Sequence, residues 1–113
     1  MTYTVRITPA AEASILEQAR YIAVDQHAPL NAARWLSRIF AAADTLDTWP
    51  RSCGLAEEDA YREYEVRKLS IDGFQLLFTI LDETQEVWVI ATRHGRMEPK
   101  PEQLPKDAPG ETG

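Results

Sequence analysis

The sequence has little of what several common kinds of site require. Cys53 is the only cysteine in 113 residues, so an internal disulfide and a thiolate zinc cluster are both excluded. With only His27 and His94 as imidazoles, a histidine-rich metal site is not expected either. No apolar run approaches the roughly 18 residues that a membrane helix needs. We therefore expect no metal, no cofactor and no membrane partner, and the N-terminus, which does not read as a secretory signal, predicts a cytoplasmic protein.

Positive charge is also scarce, since 12 Lys and Arg stand against 18 Asp and Glu, for a formal net charge of −6. This balance argues against nucleic-acid binding, because phosphate contacts need lysine and arginine. The acidic excess lies in two segments, however. Residues 57–65 hold five acidic residues and one basic residue, and residues 97–113 hold four and two. The rest of the chain is balanced, which leaves room for a local basic patch.

The apolar pattern of the first half predicts a strand followed by two helices. Residues 3–8 alternate apolar and polar side chains, as a half-buried strand does. Two stripes at helical spacing then predict helices over about residues 9–26 and 30–48. The break at residues 27–29 is short, so the two helices are expected to be antiparallel neighbours.

The second half predicts three strands, over residues 64–71, 74–81 and 86–93. Asp72-Gly73 between the first two is a strong signal for a two-residue hairpin turn. The order β-α-α-β-β-β predicts an α+β fold with a mostly antiparallel four-stranded sheet under a helical pair. Alternation along the middle strand places four apolar side chains on the face that should meet the helices: Phe74, Leu76, Phe78 and Ile80.

Residues 97–113 have a different composition from the rest of the chain. They hold four of the seven prolines, together with Gly110 and Gly113. Such a segment cannot form a packed core, so we predict a disordered or polyproline-like tail. The chain is thereby divided into a domain of residues 1–96 and a tail of residues 97–113.

Several local sequences, taken in order, resemble the RelE/ParE superfamily of type II toxin–antitoxin toxins, also called plasmid-stabilisation proteins. Residues 34–54 are similar to the family's second helix and the Pro/Gly loop after it, and residues 65–69 resemble its second strand. Phe-Gln-Leu-Leu-Phe at 74–78 stands where such toxins usually read aromatic-Arg-Leu-X-Tyr. Residues 89–96, which end in His-Gly-Arg, look like the final strand and its ParE-type "H-G-R-R" signature. The resemblance covers about residues 3–97 and is closer to ParE than to RelE.

The resemblance implies a growth-inhibiting toxin that a cognate antitoxin neutralises. ParE-like members act on DNA gyrase, whereas RelE-like members cleave mRNA in the ribosomal A site; a non-toxic relative that only binds the antitoxin is a third possibility. Leu77 and Thr79 on the outer sheet face, and the exposed side of the helical hairpin, are the expected antitoxin docking surfaces. An exposed apolar strip would also allow a homodimer when the partner is absent.

A ribonuclease role would require a specific set of groups. Metal-free RNA cleavage needs a base, an acid and fixed cations around the reacting phosphate. His94 can serve as acid or base because imidazole titrates near neutrality. Arg67, Arg93 and Arg96 can supply the cations, since adjacent strands lie ~4.8 Å apart, within arginine reach. These four residues are the candidate catalytic site.

Gln75 argues against that role. RelE-like ribonucleases would align an arginine here, and losing a group that stabilises developing charge costs about 100-fold or more in rate. Together with the acidic balance, this favours a ParE-like action on gyrase over RelE-like cleavage on the ribosome. Arg93 also has a structural alternative, an ion pair with Glu65 or Glu86 across the sheet. The acidic run at 57–59 is expected to be a solvated loop.

Overall fold

The computed structural model describes residues 2–95 and 97–109. It contains β1 (Thr4–Ile7), α1 (Pro9–Arg20), α2 (Pro29–Asp44), β2 (Arg67–Ile71), β3 (Phe74–Leu81) and β4 (Glu86–His94). A π-helical turn, Tyr21–Asp25, extends α1, and a 3-10 turn, Thr45–Asp47, extends α2. The predicted α+β class and the element order are therefore confirmed.

The four strands form one sheet in the order β1-β4-β3-β2. β1 runs parallel to β4, with Val5 opposite Val87, because the helical hairpin carries the chain over the sheet between them. The other neighbouring strands are antiparallel. Asp72 and Gly73 make the turn from β2 to β3 at φ values of 51° and 82°, the left-handed conformation that the predicted hairpin requires.

Both helices pack on one face of the sheet, which we call the inner face. The Thr8 hydroxyl caps α1 by accepting a hydrogen bond from the Ala11 amide at 3.2 Å, and Pro9 occupies the first helical position. The predicted helical stripes meet the apolar side chains of β3 and β4 in one core. Its fully buried members include Ile15, Ile39, Leu46, Leu76, Phe78, Val87 and Val89.

β4 carries a bulge in its middle. Leu77 lies opposite Ala91, but Phe78 lies opposite Val89, so Ile90 has no partner on β3. Ile90 and Ala91, although adjacent in sequence, both pack on the side of the sheet away from the helices, which we call the outer face. A bulge shifts the alternation of side chains by one residue. It therefore decides which face each later residue of β4 occupies.

The outer face is covered by the chain itself. Leu77 and Thr79, predicted to form an open docking surface, are only 1% and 2% exposed. The loop before β2 and the tail lie over them, so this docking prediction was wrong. Alternation along β3 shows that two faces exist, but it does not show which loop covers the second one. The outer cluster comprises Ala56, Val66, Leu77, Ile90, Ala91 and Leu104.

The composition predicted a disordered or polyproline-like tail over residues 97–113; in the structure its first residues line a cleft beside α1, and Leu104 packs on the outer side of the sheet. Leu104 is buried in the outer cluster. Arg62 anchors the segment, because its guanidinium donates to the carbonyls of Pro101 at 2.5 Å, Leu104 at 3.0 Å and Pro105 at 3.0 Å. Prolines lack the amide donor needed for a strand ladder, but their carbonyls remain available to a side-chain donor.

β2 begins at Arg67, later than the predicted residue 64. The Val66 amide donates to Asp59 Oδ1 at 2.8 Å, and the Val66 carbonyl accepts from the Ala56 amide at 2.9 Å. The backbone before β2 therefore pairs with the preceding loop rather than with β3. The run at 57–59, predicted to be a solvated loop, is consequently part of the packed structure.

Candidate functional site

Arg93 and His94 end β4 and lie on opposite sides of the sheet, as neighbouring strand residues do. Arg93 is opposite Gln75, and its side chain reaches the acidic loop on the outer side. His94 is opposite Phe74, and the two rings meet edge to face with centroids 5.8 Å apart. The two candidate groups are therefore adjacent in sequence but separated by the strand itself.

Each of the three nitrogens of the Arg93 guanidinium donates one hydrogen bond. Its Nε donates to Glu58 Oε2 at 2.8 Å, its Nη2 to Glu57 Oε2 at 2.5 Å, and its Nη1 to the Met97 carbonyl at 3.2 Å. The side chains of Arg93 and Glu58 are only 8% and 1% exposed. Two carboxylates thus neutralise the cation that was expected to meet a phosphate.

The carboxylates expected to pair with Arg93 have other partners. Glu65 accepts from Arg67 Nε at 2.7 Å, and Glu86 pairs with Arg6. The prediction of a cross-strand pair was therefore wrong. The actual partners come from the loop before β2, and loop packing, unlike strand register, leaves no regular spacing in the sequence.

The ion pairs also include Lys68, and one oxygen of Glu58 receives no hydrogen bond from a described residue. Lys68 Nζ donates to Glu57 Oε1 at 3.0 Å. This bond, followed by a backbone hydrogen bond at Glu57, lowers the pKa of Glu57, and the charges of Lys68 and Arg93 contribute less. Glu58 Oε1 and Gln75 Oε1 are buried and accept no hydrogen bond within the described chain. A buried polar atom left unsatisfied typically costs about 1–3 kcal/mol.

His94 is positioned by the turn between β2 and β3. The Gly95 amide donates to the Gly73 carbonyl at 2.6 Å. A Cβ atom at position 95 would lie 2.8 Å from that oxygen, closer than backbone atoms allow. Glycine is therefore required for this close approach. The glycine of the motif is thus explained by packing, and the exposed His94 side chain lies at the end of the sheet.

Arg67 lies elsewhere on the sheet. It pairs with Phe78 on β3, whereas His94 pairs with Phe74 at the far end of that strand. Arg67 Nη1 donates to the Cys53 carbonyl at 2.5 Å, which ties β2 to the loop after α2. The structure does not bring Arg67 and His94 together. Arg96, the fourth candidate, lies outside the described residues.

A cleft of about 410 Å³ opens beside the end of β4. Side chains of α1 form one wall, the ends of β3 and β4 form the floor, and the tail forms the opposite wall. His94 and Tyr21 line the cleft, with Glu17 and Glu98 exposed at its mouth and the buried Glu58 at its base. The cleft is the candidate functional site, and the sequence alone did not predict its tail wall.

The charges of the cleft do not suit a phosphate. Arg93 is neutralised, and Lys100 is the only other lysine or arginine among the described lining residues. The two carboxylates of Glu17 and Glu98 oppose the single positive charge of Lys100. His94 is therefore not flanked, within the described lining, by a free arginine that could stabilise a charged phosphorane.

Sequence reasoning missed Glu57, Glu58 and Tyr21 as site residues. The carboxylates come just before a strand that begins with Arg67 and Lys68, so a local ion pair was foreseeable from charge alone. Pairing with Arg93 was not, because the contact joins residues 35 positions apart through the folding of a loop.

Other chemistries were also assessed. Burial raises the pKa of the Cys53 thiol, so it is a poor nucleophile. Across residues 2–95 and 97–109, no three His, Cys, Asp or Glu side chains are grouped so as to hold a metal ion. In the same part of the chain, no helix has both the length and the apolar character needed to cross a membrane.

The family model described as the ParE toxin of type II toxin–antitoxin systems, parDE, matches residues 5–99. The match includes both helices, β2 to β4 and most of β1. The chain belongs to the ParE toxin family. No curated protein matches it. ParE-family toxins of type II systems pair with an antitoxin, so the predicted toxin–antitoxin class of this ParE-family protein is confirmed.

Proposed function

We propose that this ParE-family toxin arrests growth by binding DNA gyrase and that a cognate antitoxin neutralises it. The observation that carries the proposal is the state of Arg93, whose guanidinium is buried against Glu57 and Glu58. A cation held in this way is not available to an RNA phosphate. Action through contact with a protein surface requires no such cation, and it agrees with the acidic character of the chain.

We further propose a domain boundary, a cellular location and a role for the module. Residues 1–96 form the toxin domain, the protein acts in the cytoplasm, and the module stabilises a plasmid that encodes it. A homodimer through exposed apolar side chains is the form expected without antitoxin.

RelE-like cleavage of mRNA on the ribosome is the second candidate. One observation favours it, namely that the His94 imidazole is exposed within a cleft. The neutral Gln75, the engaged Arg93 and the distant Arg67 all weigh against it, because no free arginine of the described cleft lining flanks His94.

Purified gyrase provides the direct test. The folded toxin should inhibit supercoiling of relaxed plasmid DNA in a dose-dependent manner. Unchanged supercoiling at a large molar excess of folded toxin would refute the gyrase proposal. The His94→Ala variant separates the candidates, since contact inhibition should persist while ribosome-dependent cleavage should be lost.

Induced expression distinguishes the remaining alternatives. Growth arrest with intact mRNA supports the gyrase proposal, whereas codon-specific cuts in translated mRNA support the ribonuclease. Normal growth despite abundant soluble protein would point to the non-toxic relative that only binds an antitoxin.

The antitoxin is proposed to dock on the exposed side of the helical hairpin, because the outer sheet face is covered. Leu16, Val24 and Leu30 are large apolar side chains exposed there. Leu16→Asp with Val24→Asp should prevent co-purification with the product of an adjacent small reading frame. Ser70→Asp, an exposed position on β2 and outside the helical hairpin, is the control. Undiminished binding by the double variant would exclude this surface.

A further inference from the structure

A carboxylate oxygen without a hydrogen-bond donor lies at the base of the cleft. Glu58 is 1% exposed and lines the cleft, and its Oε2 is held by Arg93. Its Oε1 is buried and accepts from no described residue. Buried polar atoms are nearly always hydrogen-bonded in folded proteins. Because this oxygen is itself closed to solvent, a donor that enters through the cleft can reach it only where the side chains or the tail wall around Glu58 move aside.

The mouth of the cleft favours a cation. Glu17 and Glu98 line it and form no ion pair with a described residue, and among the described lining residues Lys100 is the one cation besides the neutralised Arg93. Opposite charges attract most strongly where water is partly excluded, as between the two walls of a cleft. The same carboxylates repel a phosphate or another anion.

An aromatic ring and a thioether complete the lining. Tyr21, at the end of α1, is 47% exposed, and Met97 of the tail lies in the same cleft. A guanidinium stacks on aromatic faces and offers planar donors that match a carboxylate, whereas an ammonium is a compact and strongly hydrated charge. The combination of carboxylates and an exposed tyrosine thus fits arginine better than lysine.

We propose that the cleft binds an arginine side chain of a protein partner. The guanidinium would donate to Glu58 at the base, lie between Glu17 and Glu98 and stack on Tyr21. The cleft volume of about 410 Å³ is within the range of ligand sites, about 300–1,000 Å³, which leaves room for flanking backbone. The inference rests on the proposed function only in that the partner is taken to be a protein.

Blocked amino acids test the site directly. Nα-acetyl-L-arginine methylamide is titrated into the ¹⁵N-labelled full chain at constant ionic strength, and amide shifts are followed by NMR. Saturable shifts confined to the cleft, at Gln18, Tyr21, Thr92 and His94, are expected in the millimolar range. The blocked citrulline analogue, which has the same shape without the charge, should bind about tenfold or more weakly. Equal shifts from the citrulline or lysine analogue, or shifts without saturation, would overturn the proposal.

Variants locate the binding groups. E17Q with E98Q should weaken arginine binding about threefold to tenfold, because each exposed carboxylate contributes a modest attraction. E63Q with E83Q removes two exposed carboxylates outside the cleft and should leave binding unchanged. If both pairs have the same effect, general charge rather than this cleft is responsible and the proposal fails.

The base of the cleft requires separate variants. E58Q should abolish saturable binding, provided that its NMR spectrum shows a folded chain. Because Glu58 also binds Arg93, Y21A serves as the second probe, and it should weaken binding of arginine more than binding of the lysine analogue. Full arginine affinity in Y21A would refute the stacking contact. None of these titrations uses gyrase, so loss of arginine binding and loss of gyrase inhibition are separate outcomes.

Discussion

The two faces of the sheet exclude water in different ways. On the inner face, two helices bring apolar side chains at regular spacing onto β3 and β4. On the outer face, an irregular loop and the tail cover a smaller apolar cluster, beside which the charged Glu58 is buried against Arg93. The inner cover, formed by the two helices, repeats at helical spacing. The outer cover, formed by the loop and the tail, depends on individual contacts such as the hydrogen bonds of Arg62.

This difference bears on function because the cleft lies where the two covers meet. Its α1 wall belongs to the inner cover, and its tail wall belongs to the outer one. A segment held by a few side-chain hydrogen bonds opens at lower free energy than a helix packed into the core. The tail wall is therefore expected to adapt more readily to a partner than the helical wall.

Substitution of two adjacent leucines compares the packing of the two faces most directly. Leu76 on the inner face and Leu77 on the outer face are 0% and 1% exposed. Leu76→Ala should lower the free energy of unfolding by about 4 kcal/mol, and Leu77→Ala by about 2 kcal/mol, because a loop and tail can collapse onto the cavity better than two helices can. Urea denaturation measures both variants. Equal losses would mean that the two covers are equally rigid.

The buried ion pair should show the next largest effect. Arg93→Met leaves Glu58 buried without its partner and should destabilise the fold by about 3 kcal/mol. Lys68→Met is the control, since Lys68 also binds Glu57 but is 30% exposed, and about 1 kcal/mol or less is expected. A loss for Arg93→Met as small as that of the control would show that the outer cover does not exclude water from Glu58.

Anchoring of the tail should contribute less. Arg62→Ala removes the donor to three carbonyls and should cost about 2 kcal/mol, mainly as local opening of the tail. Hydrogen exchange should accelerate at residues 101–108, while the amides of β3 stay protected. Arg34→Ala, an exposed change on α2, should alter neither measurement. Unchanged exchange in the tail would contradict the anchoring role of Arg62.

An exposed ion pair gives the smallest expected effect and contrasts with the buried one. Hydrogen bonds from Arg51 and then Tyr3 lower the pKa of Asp82. Its stabilising contribution is therefore present above the unfolded-state pKa of about 3.9 and is lost as the pH falls through the lower folded value. A carboxyl ¹³C titration should place the Asp82 midpoint below the unfolded-state value of about 3.9, and Arg51→Gln should raise it. An unmoved midpoint in the variant would show that the pair is not formed in solution.

The elements with periodic patterns were predicted best. The stripes through Ile15 and Ile39 predicted both helices, and Asp72-Gly73 predicted the tightest turn. The start of β2 was misplaced, because the preceding loop takes up both backbone hydrogen bonds of Val66, through the Asp59 side chain and the Ala56 amide. Periodicity indicates which face of a strand is buried. It does not indicate which neighbouring segment forms hydrogen bonds with the end of that strand.

The candidate site was predicted in part. The motif placed His94 at the end of a strand, where the structure has it. The grouping of Arg67 with His94 was not found, because Arg67 is opposite Phe78 and His94 is opposite Phe74, four residues apart along β3. The partners of Arg93 also escaped prediction, since the bulge at Ile90 and the fold of a loop decide where its side chain reaches.

By itself the sequence determined the order of elements, the helical pair, the hairpin and the family resemblance, because each depends on residues close together in the chain. Only the tertiary structure decided that the outer face is covered, that Arg93 is neutralised and that one buried oxygen of Glu58 receives no hydrogen bond from a described residue. These features join segments far apart in sequence. Their free energies come from packing and desolvation, which local propensity does not encode.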